Sequence, residues 1–482
     1  MKKKKVVAVA AAAIMAASTI GALAGCGKDP ETNITVFLLA NSTETTFYRN
    51  YFKQMEEDLK EEFAEEGIEY TITFSAEQES NYYQTLKANI QNGSTPDIFY
   101  VRPNELLQYG NMVADLQDYA DTMGNGSANA IANLSTIYDT ALNMYRYNPT
   151  TGKIGDPNDH LYAFPKDLST QQLGYNKTLL KKFEKKVNDA GYALPYQDDY
   201  TGYTWEEFKQ VCKIIHDNAG AAEYACDIPS VEILAKSFSD DKSTTTSPLM
   251  DLTGGRASGK VGEIKEGTPL YKAIQYQAEF VQCGAGNYRG ATYQNFTSGR
   301  VCFYGACGSW EVGDYNDFFN KDGGDNWGVM AWPTENKGDE QWQGLIKSAG
   351  YVVSKDCAAM TKGDIAKRIA LSFLSRTTQN QLMQQQISLP LIKDWAEDYT
   401  NPENDAKYSP STRGIYLDVI SGDHGFFPAS YSTYDEAWLK PLNDQLSLIW
   451  TADENAVSKF TSTNWTEIHT NMQGQYDATK NN

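Results

Sequence analysis

Between residues 34 and 101 the sequence passes from strand pattern to helix pattern and back twice, and that order limits the fold more than any other feature. Residues 34–40 are a short apolar run rich in β-formers, the composition of a strand buried on both faces. Tyr48, Tyr51, Phe52, Met55, Leu59 and Phe63 then recur at helical spacing until Gly67 stops the helix. Tyr70, Ile72 and Phe74 alternate as a second strand, and Tyr83, Leu86 and Ile90 line a second helix that ends near Asn92-Gly93. Pro96-Asp97 leads into a third strand, Ile98–Val101. This order predicts parallel strands with right-handed crossovers. Open sheets of that kind bind ligands beyond the carboxyl ends of their strands, which points to residues 41–44 and 102–105.

The rest of the chain keeps the mixed α/β character. Thr204-Trp205-Glu206-Glu207 is a capping box, in which the threonine oxygen and the Glu207 carboxylate satisfy free amides at a helix start. Phe208, Val211, Cys212 and Ile215 form the buried face of that helix, and Trp205 in its first turn reads as structural. Residues 239–267 are polar and rich in Gly, Ser and Thr, which predicts a surface insertion. Residues 301–304 and 351–353 read as strands. Ile365, Ile369, Phe373 and Leu374 read as a helix face, and the chain from about residue 430 reads as amphipathic helix.

Charge and motif content remove several functions. Lys and Arg total 42 against 62 Asp and Glu, a formal net charge of -20, and no basic block follows the N-terminus. A nucleic-acid binder needs a cationic face to displace phosphate counterions, so no nucleic-acid partner is expected. The histidines, at 160, 216, 424 and 469, are not at metal-ligand spacing, and HExxH, CxxC and GxxxxGK[ST] are missing. No metal or cofactor is expected. Glu56-Glu57-Asp58 are adjacent on a helix and do not face one another, whereas glycoside hydrolysis needs two carboxylates some 5–10 Å apart across a cleft.

The N-terminus carries a targeting signal. Residues 2–5 are all lysine, residues 6–24 are apolar or small, and the stretch ends in Leu23-Ala24-Gly25-Cys26. These are the parts of an export signal. The ending resembles the lipobox of bacterial lipoproteins, which implies cleavage after residue 25 and lipidation of Cys26. The stretch is also about long enough to span a bilayer, but the placement of Cys26 favours the lipoprotein. The expected location is the extracellular face of the bacterial cytoplasmic membrane. Six further cysteines, Cys212, Cys226, Cys283, Cys302, Cys307 and Cys357, admit either disulfides or free buried thiols.

Several short motifs recur in order through nearly the whole chain. They are Leu86-Lys87-Ala88 leading to Asn92-Gly93-Ser94-Thr95-Pro96-Asp97-Ile98, then Leu161-Tyr162-Ala163-Phe164-Pro165-Lys166 and Gly174-Tyr175-Asn176-Lys177. Thr204-Trp205-Glu206-Glu207-Phe208, residues 296–300 with Gly308-Ser309-Trp310, and Gly350-Tyr351-Val352-Val353-Ser354 follow. Each is weak alone. In this order and spacing the chain resembles the extracellular solute-binding proteins of ABC importers, in particular the maltose-binding-like sugar group.

The resemblance implies an α/β two-lobe fold of the periplasmic-binding-protein kind (type II-like), with a ligand cleft between lobes joined by crossing hinge strands. It divides the chain into a signal peptide (1–25), a tether (26–32), an N-terminal lobe (33–127 and 344–390) and a C-terminal lobe (128–343 and 391–482). The implied partners are a carbohydrate ligand, an oligosaccharide, and the permease subunits; no catalysis is implied. A binding lipoprotein for a non-sugar solute, or an extracellular carbohydrate-active enzyme, are the alternatives. Residues 239–267 and the region from 390 depart from the family pattern.

A sugar presents hydroxyls around its rim and a C–H face, so its site pairs an aromatic platform with carboxylates, amides and basic groups. The resemblance puts Trp310 on that platform, with lobe packing as the other reading. It gives Asn41, Glu44, Arg102 and Asn104 the polar contacts of one lobe. Asp167 and Ser169, next to Lys166, lie at a strand end that faces the cleft or forms a solvated loop. Tyr351 either touches ligand or serves only the hinge, Tyr175 packs under the sheet, and Asp97 shapes a turn. A late aromatic segment with Phe426, Phe427 and Tyr431 is expected to close the pocket.

Overall fold

The computed structural model describes residues 31–479 apart from 127–129, 241–246, 252–257, 288, 322–323, 340–343, 385–388, 390, 394–424, 427–435, 451–458 and 460–461. β1 (Asn33–Leu39), α1 (Ser42–Glu62), β2 (Thr71–Glu77), α2 (Glu79–Gln91) and β3 (Ile98–Val101) succeed one another as the periodicity predicts. β1 is the centre of this group, pairing in parallel with β2 and with β3; Val36 lies between Phe74 and Ile98. α1 begins ahead of its apolar repeat because Asn41 caps it. Asn41 Oδ1 accepts from the Glu44 amide at 2.8 Å, and Glu44 Oε2 accepts from the Asn41 amide at 2.9 Å.

The turn before β3 is held by a buried ion pair. Asp97 accepts from the Thr35 amide at 2.7 Å and the Thr35 hydroxyl at 2.9 Å, and pairs with Lys362 at 2.7 Å. Lys362 also donates to the Asn33 carbonyl at 2.8 Å. Both charged groups are buried, and removing one partner of such a pair typically costs about 3–5 kcal/mol because the other is left uncompensated. Asp97 therefore ties β3 to β1, in keeping with the turn role read from Pro96-Asp97.

The chain continues through β4 (Phe164–Asn176), α3 (Trp205–Asn218), β5 (Tyr224–Cys226), α4 (Val231–Ser237), α5 (Pro269–Gln282), β6 (Val301–Gly308), β7 (Trp327–Met330) and β8 (Gly344–Val353). α6 (Gly363–Ser372), α7 (Arg376–Gln384), α8 (Lys440–Ile449) and α9 (Trp465–Thr479) follow. One sheet runs through the molecule in the order β2-β1-β3-β8-β4-β6-β5, with β7 also paired to β4. β5 and β6 are parallel; β4 and β8 are antiparallel, from Leu345 opposite Gln171 to Tyr351 opposite Phe164.

Two apolar cores flank the sheet, and β6 and β7 contribute to both. The first gathers Ile34, Val36, Tyr48, Leu86, Ile98 and Ile369 around β1–β3 and continues to Phe296, Val301 and Tyr315. The second gathers Trp205, Phe208, Ile274, Phe303, Trp332, Leu442 and Tyr476. β4 passes from one to the other, since Leu168 belongs to the first core and Leu173 to the second. Side chains from Ile137 to Leu168, with Leu391 and Ile392, pack in the first core together with β1–β3.

The described residues of the segment 239–267 pack more deeply than its polarity predicts. Met250–Asp251 and Lys260–Val261 pair antiparallel, and Leu249, Met250, Val261 and Ile264 enter the second core. α9 closes over them, Gln473 accepting from the Val261 amide at 2.8 Å. α3 has the predicted capping box and buried face, and Trp205 is buried with its indole N–H donating to Ser237 at 2.7 Å. The six cysteines read as either disulfides or thiols are all free, and Cys283 alone among them is not fully buried. Cys26 and the signal segment lie outside the described residues, as do Phe427 and Tyr431; Phe426 is described in its backbone only. No described helix is long and apolar enough to cross a membrane.

Candidate functional site

The carboxyl ends of β1–β3 in one lobe and of β5 and β6 in the other converge on Lys347 of β8. Its ammonium feels Arg102 and Glu79, which follow β3 and β2, and Glu232 and Glu311, which follow β5 and β6. Lys347 reaches solvent, yet burial among these groups, followed by the Arg102 charge, holds it below the usual lysine range. A side chain open to water but enclosed on several sides lies in a cleft.

On the first-lobe side, the Arg102 guanidinium pairs with Glu79 and lies 5.4 Å over the Tyr83 ring. The Arg102 amide donates to Glu105 Oε2 at 2.6 Å. Burial pushes the Glu105 carboxyl up to about 7 against the pull of the Arg102 charge. Asn104 is half-buried in the 3-10 turn Pro103–Glu105 beside them.

Asn41 and Glu44 are engaged differently. Besides capping α1, Glu44 accepts from Lys166 at 2.8 Å, and Lys166 stands 3.4 Å from Asp167 and 5.8 Å over the Tyr48 ring. Burial raises Glu44, but the Lys166 charge and hydrogen bond outweigh it and hold the carboxyl below its ordinary range. Burial pushes Asp167 up, with Lys166 and the Ala349 amide resisting. That amide donates to Asp167 Oδ1 at 2.9 Å, so Asp167 is part of the β4–β8 crossing. Tyr351 is 1% exposed; its hydroxyl donates to Tyr48 at 2.8 Å and its ring centre lies 4.2 Å from that of Phe373. These placements put Asp167 and Tyr351 behind the cleft wall. Ser169, half-buried, lies opposite Lys347 and donates to its carbonyl at 3.4 Å.

On the second-lobe side, β6 ends at Gly308 and turns through Ser309–Glu311. Ser309 Oγ accepts from the Thr170 amide at 3.1 Å, fixing the turn to β4. Trp310 is 39% exposed, and its indole lies against Gly308: a Cβ there would come within 2.4 Å of ring carbons. Lys347 Nζ stands 5.0 Å from the ring centroid. Glu311 takes a hydrogen bond from the Tyr315 hydroxyl and is raised by burial. Asp227, just past β5, is half-buried and accepts from the Gly305 amide at 2.7 Å. Burial pushes it up to about 7, and none of the groups that shift it is charged. Gly305 lies where the β6 register shifts, and a Cβ there would stand 2.9 Å from Trp332 and 3.2 Å from Asp227.

Arg102, Ser169 and Trp310 are thus brought around Lys347, with Asn104 in the turn after Arg102, while Asn41, Glu44, Asp167 and Tyr351 serve the frame next to it. Lys347, Asp227 and Glu311 are absent from the residues picked out in sequence. Asp227 could have been found, since it directly follows the strand Tyr224–Cys226; Lys347 is one charged residue in an apolar run. Among the described residues no group of His, Cys, Asp and Glu is arranged to hold a metal ion. A groove of about 890 Å³ between α1 and α7, lined by Phe47, Tyr51, Met55 and Gln381 among others, shares no residue with the cleft.

A family model of bacterial extracellular solute-binding proteins matches residues 58–407. No curated protein matches the chain. Among solved structures, an ABC substrate-binding protein from Listeria monocytogenes in complex with cycloalternan is similar at TM-score 0.63 and 15% identity, covering 94% of this chain and 99% of that one. The cyclic alpha-maltosyl-1,6-maltose binding protein from Arthrobacter globiformis is similar at TM-score 0.60 and 16% identity, covering 93% and 99%. Thermus thermophilus maltotriose binding protein bound with maltotriose gives TM-score 0.60 and 16% identity, covering 92% and 99%. At such identities the likeness establishes the two-lobe fold.

Glu105 offers a stability test of defined sign. Its carboxyl, at about 7, lies above its ordinary value, so its stabilising contribution is full below the ordinary carboxylate range and lost as pH rises through 7. Glu105→Gln keeps an acceptor for the Arg102 amide without the charge. Urea unfolding is expected to show wild type losing about 2–3 kcal/mol relative to the variant between about pH 5 and 8. Parallel pH profiles would contradict this.

Proposed function

The chain belongs to the bacterial extracellular solute-binding proteins, and we propose that it captures an oligosaccharide in the cleft around Lys347 for delivery to the permease of an ABC importer. Trp310 carries this reading. An indole 39% exposed at the end of a strand, backed by a glycine and 5.0 Å from the Lys347 ammonium, on which Arg102 and Glu311 also act, matches what a sugar needs: a flat apolar face with polar groups near it. The oligosaccharides named in the three solved structures support the ligand class. In this reading Arg102, Asn104, Ser169 and Trp310 touch the ligand. Asn41, Glu44, Asp167 and Tyr351 hold the wall from behind. The protein binds without catalysing, and a lipid on Cys26 keeps it at the outer face of the membrane, a reading supported by Leu23-Ala24-Gly25-Cys26.

Trp310→Ala tests the platform. A buried aromatic anchor typically costs about 2 kcal/mol or more when truncated, a loss of roughly 30-fold in affinity by calorimetric titration. The ligand-free melting curve is expected to change little, because the ring is largely at the surface. A variant that melts much earlier yet binds as tightly as wild type would make Trp310 a packing residue. Anchoring is tested by Cys26→Ala, expected to release the protein from membranes with ligand affinity unchanged. Retention of that variant after a carbonate wash would contradict lipidation.

A further inference from the structure

Lys347 stands out along its strand. Ile346, Ser348 and Ala349 beside it are buried, while Lys347 projects into the cleft. Its ammonium lies 5.0 Å from the centre of the Trp310 ring, and across the crossing it faces Ser169. Among the described residues no carboxylate comes within 4.0 Å of it. The acids that act on it are already engaged: Glu79 with Arg102, Glu232 with the Ser247 hydroxyl at 3.1 Å, and Glu311 with the Tyr315 hydroxyl. Burial and the Arg102 charge outweigh all three, so the surroundings disfavour the lysine's charge.

We propose that the cleft takes an acidic oligosaccharide, whose anionic substituent is received by Lys347 and Arg102 while a sugar ring lies on Trp310. This rests on the oligosaccharide reading above and names the class within it. A neutral sugar leaves the Lys347 ammonium without a carboxylate partner as closure removes water, where an unpaired charge is most costly. An anionic group reverses that term and accepts charge-assisted hydrogen bonds, which are shorter and stronger than those of a hydroxyl. The contact of the ammonium with the indole face is weak at an accessible site and yields readily to the ligand.

The test is calorimetric titration of the full chain with a panel of oligosaccharides that each carry one uronic acid, each paired with its carboxyl-reduced neutral counterpart. The acidic form is expected to bind at least about tenfold more tightly at low salt, with the gap narrowing as salt is added. Lys347→Gln is expected to abolish the gap with the ligand-free melting temperature unchanged, and Lys347→Arg to keep it. A neutral form that binds as tightly as its acidic partner, or a preference that survives Lys347→Gln, overturns the proposal and leaves the oligosaccharide reading standing. If neither form binds for any member of the panel, the oligosaccharide reading falls, and this inference with it.

Discussion

The antiparallel pairing of β4 with β8 is the contact on which the molecule depends. Each strand lies in the interior of the one sheet that runs through both lobes, and β4 itself changes core between Leu168 and Leu173. The register shifts between the pairs Asp167–Ala349 and Pro165–Gly350, which leaves Lys166 as the extra residue, its ammonium 3.4 Å from the Asp167 carboxylate. Lys166 reaches Glu44 at the start of α1, and Asp167 receives the Ala349 amide across the crossing. Two buried charges and a half-buried one meet here, a choice that is expensive unless each has partners. The partners are present: the Asn41 amide on Glu44, the Ala349 amide on Asp167, and both carboxylates on Lys166.

That arrangement separates two sets of polar groups. Behind the wall, Glu44, Lys166, Asp167 and Tyr351 are satisfied within the protein, and Asn41, exposed at the edge, caps α1. The set in the cleft is left open toward a ligand. Arg102 is braced by Glu79 and by the hydrogen bond its backbone N–H donates to Glu105, Trp310 is braced by Gly308 and the Ser309–Thr170 contact, and Lys347 stands beside Trp310. Groups held in this way lose little conformational freedom on binding, which favours affinity.

The parallel strands, α3 and the two-lobe class were legible because they depend on local periodicity and caps, which sequence displays directly. The roles of Asn41 and Glu44 were half legible. Asn41-x-x-Glu44 has the same spacing as Thr204-x-x-Glu207, but its place after a strand suggested ligand contact first. The ion pair that claims Glu44 joins it to Lys166, far along the chain, and no local pattern announces such a partner. Tyr351 was read at a lobe crossing and stands on one, yet its partner Tyr48 lies on α1, and burial follows from that distant contact. Lys347 was missed for a related reason: the motif that marked its strand begins at Gly350, after the half that reaches the cleft. In residues 239–267, scattered Leu249, Met250, Val261 and Ile264 find a core that only α9 and the second lobe supply.

The account requires that ligand be held between two lobes joined by β4 and β8, so that binding brings them together. Small-angle scattering of the full chain, with and without an oligosaccharide that calorimetry shows to be saturating, reads this directly. A smaller radius of gyration in the bound protein is the predicted result, and an unchanged radius at full occupancy would contradict capture by closure of the cleft.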